Sequence, residues 1–178
     1  MASEYLNALQ QVGTHAVGNL NSLKIKTVAH GAIVAGAAID NFTLGELGFN
    51  ADGERTVSQL SNKANKAVLV ASPETRYLGE EISKFYNGVG ERARCVILEP
   101  GYTRFETSAF TKNAGVTTIT NGLVAHFDVT TKKFIISNSA SAHADYAGSS
   151  AQFVVVNNEE DMEYTLGKAM VRLEVAKA

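Results

Sequence analysis

From Lys26 to the C-terminus the chain is cut into short apolar or alternating runs by Gly, Asn and Asp, at intervals too short for long helices. Such a texture restricts the fold to β architectures. The runs are Lys26 to Ala35, Phe42 to Leu47, Arg55 to Leu60, Ala67 to Ala71, Arg94 to Leu98, Arg104 to Ser108, Val116 to Thr120, Leu123 to Val129, Lys133 to Ser137, Gln152 to Val156 and Ala169 to Val175. Alternation is clearest in two of them. Leu123, Ala125, Phe127 and Val129 oppose Val124, His126 and Asp128, while Ala169, Val171, Leu173 and Val175 oppose Met170, Arg172 and Glu174. That pattern predicts strands with one buried and one wet face, as antiparallel sheets allow. The expected fold is mainly β, a small barrel or sandwich of short antiparallel strands with one short helix and an N-terminal arm. The absence of alternating long helices argues against a doubly wound nucleotide-binding fold.

Turn chemistry refines this. Asp52-Gly53 lies between the second and third runs, and Asn121-Gly122 predicts a two-residue hairpin joining Val116 to Thr120 with Leu123 to Val129. Leu78, Ile82, Phe85 and Tyr86 recur at helical spacing and end at Asn87-Gly88, which predicts a helix over Gly79 to Tyr86. Asn138 to Ser150 is small, polar and without periodicity, so it reads as a long loop. Asn157 to Tyr164, with Glu159, Glu160, Asp161 and Glu163, reads as an acidic solvated turn lacking the Asp spacing and central Gly of a calcium loop. Residues 1–25 form a separate unit: Tyr5, Leu6, Leu9 and Val12 share a helical face and a Gly/Asn/Ser-rich stretch follows, so an arm or short helix precedes one β domain over 26–178.

With 178 residues, 45% of them hydrophobic and 19% charged, the chain can bury a core and falls outside the disordered range. A formal net charge of −2 gives no bulk attraction to phosphate backbones, and no nucleic-acid partner is expected. The single Cys95 excludes an internal disulfide and, in the run Arg94-Cys95-Val96-Ile97-Leu98, reads as a small hydrophobe. Neither a secretion signal nor a membrane span is expected from the sequence.

The most enzyme-like constellation is His126-Phe127-Asp128 with His143, because a His and a carboxylate two apart on a strand project together and a second His could complete a metal triad. Against it stands a solvent-facing polar strand edge, and the loop itself repeats the pattern as His143-Ala144-Asp145. His30, in an apolar run, reads as a hydrogen-bonded, partly buried histidine, and His15 falls in the arm. No phosphate loop or nucleophile elbow occurs, and Gly36, Gly45 and Gly48 are too dispersed to cradle a dinucleotide. The expectation is a binding protein with no catalytic residues, no cofactor and no metal.

Several segments in order carry a resemblance. They are Ala37-Ala38-Ile39-Asp40-Asn41-Phe42-Thr43-Leu44-Gly45-Glu46-Leu47-Gly48, Gly53-Glu54-Arg55, Ala67-Val68-Leu69-Val70-Ala71-Ser72-Pro73-Glu74, and Phe85-Tyr86-Asn87-Gly88-Val89-Gly90-Glu91-Arg92-Ala93-Arg94, continuing more faintly through Leu98 to Ser108. Together they resemble small tailed-bacteriophage virion proteins that decorate the head beside the major capsid protein. Tyr102 stands where that pattern has an Asp in a Gly-Asp turn. The resemblance spans about Lys26 to Phe110 and leaves the arm and the 138–150 loop unaccounted for.

What it implies is a cement protein, made in the host cytoplasm and incorporated in the virion on the capsid surface. Its partners would be the major capsid protein and neighbouring copies of itself, with a trimer implied by analogy with other decoration proteins, and with no membrane partner. Expected interface residues are Tyr5, Leu6 and Leu9 in the arm, then Arg92, Arg94 and Arg104, since aromatics and Arg concentrate at hot spots. For the arginines, cross-strand pairing with Glu91, Glu99 or Glu106 is the competing reading. A phage tail or fibre component is the alternative function, and a small β-fold metal enzyme using His126, Asp128 and His143 the second.

Overall fold

The period-2 runs fold as strands because each can present one apolar row to a shared core. The computed structural model describes residues 18–74, 85–159 and 169–178. In chain order the strands are β1 (Gly18–Leu20), β2 (Ala32–Val34), β3 (Thr43–Phe49), β4 (Arg55–Gln59), β5 (Ala67–Val70), β6 (Arg92–Ala93), β7 (Cys95–Ile97), β8 (Arg104–Thr107), β9 (Phe110–Lys112), β10 (Val124–Asp128), β11 (Lys133–Ser137), β12 (Gln152–Val155) and β13 (Val171–Lys177). A single 3-10 turn, Ser139–Ser141, is the helical element among the described residues. The expected helix over Gly79 to Tyr86 lies mostly outside them.

The strands make a seven-stranded sheet, β1-β8-β13-β12-β10-β11-β9, and a six-stranded sheet, β6-β2-β4-β3-β5-β7. The arrangement is barrel-like, with one sheet nearly closed and the other beside it. Pairing is antiparallel except for β2 with β4 and β9 with β11. Residues 18–28, within and just beyond the segment read as an arm, join the sheets: β1 pairs with β8, and Thr27 bridges Val96 of β7.

The main core lies between the sheets. Phe105, Phe127, Phe134 and Phe153 meet there with ring centroids 5.1–5.7 Å apart, in tilted and edge-to-face contacts. The smaller sheet is buried on both faces: Ala67, Leu69 and Ala71 join this core, while Val68 and Val70 join a second one with Ala32, Val34, Ile39, Val57, Ala93 and Cys95. Cys95 is fully buried, as its apolar run required, and burial pushes its thiol up to about 11.

Two local expectations are corrected. Val116 to Thr120 is not a strand, because β10 already carries β11 on one edge and β12 on the other. Asn121-Gly122 is a turn, Gly122 has φ 89°, and its N–H donates to Val155 at 2.9 Å instead of closing a hairpin. The run Lys26 to Ala35 is broken at His30 and Gly31, both at positive φ, which leaves His30 exposed rather than partly buried. By contrast, Asp52-Gly53 does close the β3–β4 hairpin, with Asn50 N–H donating to the Glu54 carbonyl at 3.0 Å.

Candidate functional site

The described residues bring the chemistry-bearing side chains together on the outer face of β10. The alternation places Val124, His126 and Asp128 on that face, where the sequence predicts water; instead His126 is 1% exposed and Val124 9%. The reason is the 138–150 loop, which folds back over the strand. Its ties are His143 N–H to Ser137 Oγ at 3.3 Å, Gln152 Nε2 to the Tyr146 carbonyl at 3.0 Å, and Ser150 N–H to the Lys63 carbonyl at 2.8 Å. The last of these joins the loop to the β4–β5 connection of the other sheet.

The His143 ring stacks on His126 with centroids 5.0 Å apart and an interplanar angle of 24°, and Tyr146 stands edge-on at 6.4 Å. Both ring nitrogens of His126 are buried and lack a hydrogen-bond partner. Burial, reinforced by the neighbouring His143, holds the His126 imidazole down to about 4, so it is neutral near pH 7. The carboxylate that completes the cluster is Asp145, whose Oδ2 lies 3.8 Å from His143 Nδ1. Its backbone N–H donates to the same nitrogen at 3.2 Å. Lys63 bonds the Asp145 carboxylate, and chiefly for that reason its carboxyl sits below the usual range. A cleft of about 220 Å³ opens beside the cluster, lined by Lys63, His126, Asp128 and Asp145 among others.

Asp128, the carboxylate paired with His126 in sequence, lines the cleft but has another task. It caps the β10–β11 turn by accepting from Thr130 N–H, Thr131 N–H and Thr131 Oγ1 at 3.1, 3.1 and 2.6 Å. Its partial burial opposes ionisation, but the Thr131 hydroxyl and the two amides outweigh that and hold its carboxyl below the ordinary value. The structure thus groups His126 and His143 with Asp145 rather than with Asp128. Lys63 and Tyr146 carry no sequence signal.

The relatives give the chain its lineage. The model of a family described as YonC prophage protein matches residues 11–176. The SPbeta prophage-derived protein YonC of Bacillus subtilis (strain 168) is 63% identical over 178 residues, covering 100% of both chains.

The chain belongs to the YonC prophage protein family.

It is thus phage-derived, the coarser part of what the resemblance implied. No solved structure matches it.

In this YonC-family chain, the segments that carried the resemblance meet in space as scaffold. Asn87 Nδ2 donates to the Ile39 carbonyl and to Asn41 Oδ1, both at 3.0 Å, and Asn41 Nδ2 donates to the Ser72 carbonyl at 2.9 Å. Phe42 holds φ 53°, uncommon for a bulky residue, with its N–H bonded to Val70 at 2.7 Å. Of the expected interface residues, Tyr5, Leu6 and Leu9 lie outside the described residues. Arg92 pairs with Glu54 at 2.6 Å, Arg104 with the cross-strand Glu174 at 2.6 Å, and Arg94 donates Nε to the Ala71 carbonyl. Lys26 takes Glu99 and Arg172 takes Glu106, so these two carboxylates have other cations.

Proposed function

We propose that the chain is a structural protein of the phage virion that decorates the outer surface of the head, binding the major capsid protein and neighbouring copies of itself. The observation that carries this reading is an apolar strip along the seam between the two sheets. Leu23, Ile25 and Tyr102 are 75%, 49% and 51% exposed, and Ile97 also reaches solvent. Leu23 N–H bonds the Tyr102 carbonyl at 3.1 Å and Ile97 N–H the Lys26 carbonyl at 2.8 Å, so the four residues lie on adjacent backbone. Large apolar side chains gathered in one place on a protein surface mark a contact for another protein. The prophage lineage and the resemblance of 26–110 to head-decoration proteins supply the kind of partner, and the repeated surface of a shell would multiply weak contacts.

The test is to mix purified protein with expanded, undecorated heads assembled from the major capsid protein of the same phage, and to image pelleted particles by electron microscopy. Ordered density on the shell that is lost with Leu23→Ser/Tyr102→Ser supports decoration. A truncation after Val17 leaves β1 intact and asks separately whether the expected arm adds affinity. Bare heads would sink the head role and leave a tail or fibre component as the reading to pursue.

A further inference from the structure

We propose that His126, His143 and Asp145 bind a divalent transition metal of the zinc class, which clips the 138–150 loop to β10. One ring nitrogen of each histidine and one carboxylate oxygen of Asp145 lie within 4.8 Å of one another. His126, 1% exposed, turns two unpartnered ring nitrogens into this packed environment. A buried imidazole is almost always hydrogen-bonded, because leaving it unpaired forfeits its hydration without return. A metal supplies the missing partner of one of the two nitrogens.

The donor set selects the ion. Two neutral imidazoles and one carboxylate suit Zn²⁺ and its neighbours, whereas Ca²⁺ and Mg²⁺ demand oxygen. Three protein donors leave a coordination position open to the adjoining cleft of about 220 Å³, where water or a small anion can enter. Tetrahedral donors at ~2.05 Å from zinc stand roughly 3.3 Å apart, so the cluster must tighten by ~1.5 Å from its widest separation. His143 and Asp145, with side chains 33% and 45% exposed, can make that movement by rotating towards the fixed His126. Ser149 Oγ holds the Asp145 backbone carbonyl at 2.9 Å, and the Asp145 amide, which donates to His143 Nδ1 at 3.2 Å, releases that nitrogen on metal binding, either to the ion or to carry the proton when Nε2 ligates.

Lys63 is the cation that the Asp145 carboxylate holds in the metal-free protein. Metal binding exchanges that ammonium for the ion, so Lys63 competes with the metal and its removal should favour binding. The assignment does not depend on the head-decoration reading. A metal-clipped loop would serve any role in which this face must hold one shape.

The test uses full-length, tag-free protein stripped with EDTA and freed of chelator, titrated calorimetrically with Zn²⁺, and with Co²⁺ followed by its visible absorption. The expected results are one ion per chain, cobalt bands of a low-coordinate site, a raised melting midpoint, and no response to Mg²⁺. His126→Leu, His143→Ala and Asp145→Asn should each weaken binding by more than the ~10–100-fold that outer-shell changes cost. Lys63→Met should bind more tightly than the wild type. Circular dichroism checks that each variant keeps its fold, and the two loop variants, at part-exposed positions, remain informative if His126→Leu does not. No stoichiometric Zn²⁺ binding by the wild type would overturn the assignment, as would binding that survives both His143→Ala and Asp145→Asn, or that Lys63→Met weakens.

Discussion

Replacing His126 with leucine should stabilise the metal-free protein. The imidazole is 1% exposed with both nitrogens unpartnered, and an unsatisfied buried polar group costs ~1–3 kcal/mol. Leucine keeps most of the contact with Tyr146 and gives up the stacking on His143, worth ~0.5–1.5 kcal/mol, so the net gain near pH 7.5 is about 1 kcal/mol. Acid should widen the gap. The folded-state value of about 4 lies below the ordinary 6.5, so between these limits the unfolded chain binds a proton that the folded chain refuses. Stability from this group is therefore fully present above pH 6.5 and is lost as pH falls towards 4. At 1.36 kcal/mol per pH unit over ~2.5 units, the loss reaches about 3 kcal/mol. Urea unfolding in EDTA, followed by circular dichroism at pH 7.5 and 4.5, measures both effects. A variant less stable than wild type at pH 7.5, with a difference that does not change at pH 4.5, would refute the reasoning and mean that His126 is paired and solvated.

Asn87→Ala should cost ~1–2 kcal/mol, because it removes two buried side-chain hydrogen bonds while the Ile39 carbonyl keeps the Asn87 backbone N–H and Asn41 Oδ1 keeps the Ser72 N–H; a double-mutant cycle with Asn41→Ala should show coupling in the same urea assay. Arg172→Met should cost ~2 kcal/mol, since it leaves Glu106, 7% exposed, without the cation whose Nε and Nη2 both donate to its Oε1, whereas Arg92→Met, which removes the cation from the exposed Glu54, should cost under ~0.5 kcal/mol. Gly45→Ala should cost ~2 kcal/mol or more in thermal unfolding, because its Cβ would sit 2.7 Å from Val57 Cγ2 and 2.8 Å from the Ser58 carbonyl in the centre of the smaller sheet.

Strands were legible wherever a period-2 row faced a core, as in β10 and β13, because burial of alternate side chains is a local property of the sequence. Phe110–Lys112 escaped notice: three residues with two exposed become a strand only because β11 offers them a parallel edge. Val116 to Thr120 misled for the converse reason. Its Val116 and Ile119 do enter the core, but the Ile119 amide is satisfied by Glu159 Oε2 at 2.9 Å and not by a neighbouring strand. Of the site, His126 and His143 can be named from sequence, whereas the sequence points to Asp128 as the carboxylate because adjacency on a strand is visible there and the path of a loop is not.

The sequence by itself determined that the chain is a β protein with a buried free cysteine, since alternation, turn residues and composition act within a few residues of one another. Tertiary structure alone decided which edges pair, that the outer face of β10 is covered rather than wet, and that Lys63 and Asp145, 82 positions apart, share an ion pair beside two histidines. Those outcomes depend on where a long polar loop finds partners for its backbone and on which strand edges are already taken, and neither is a property of any one segment.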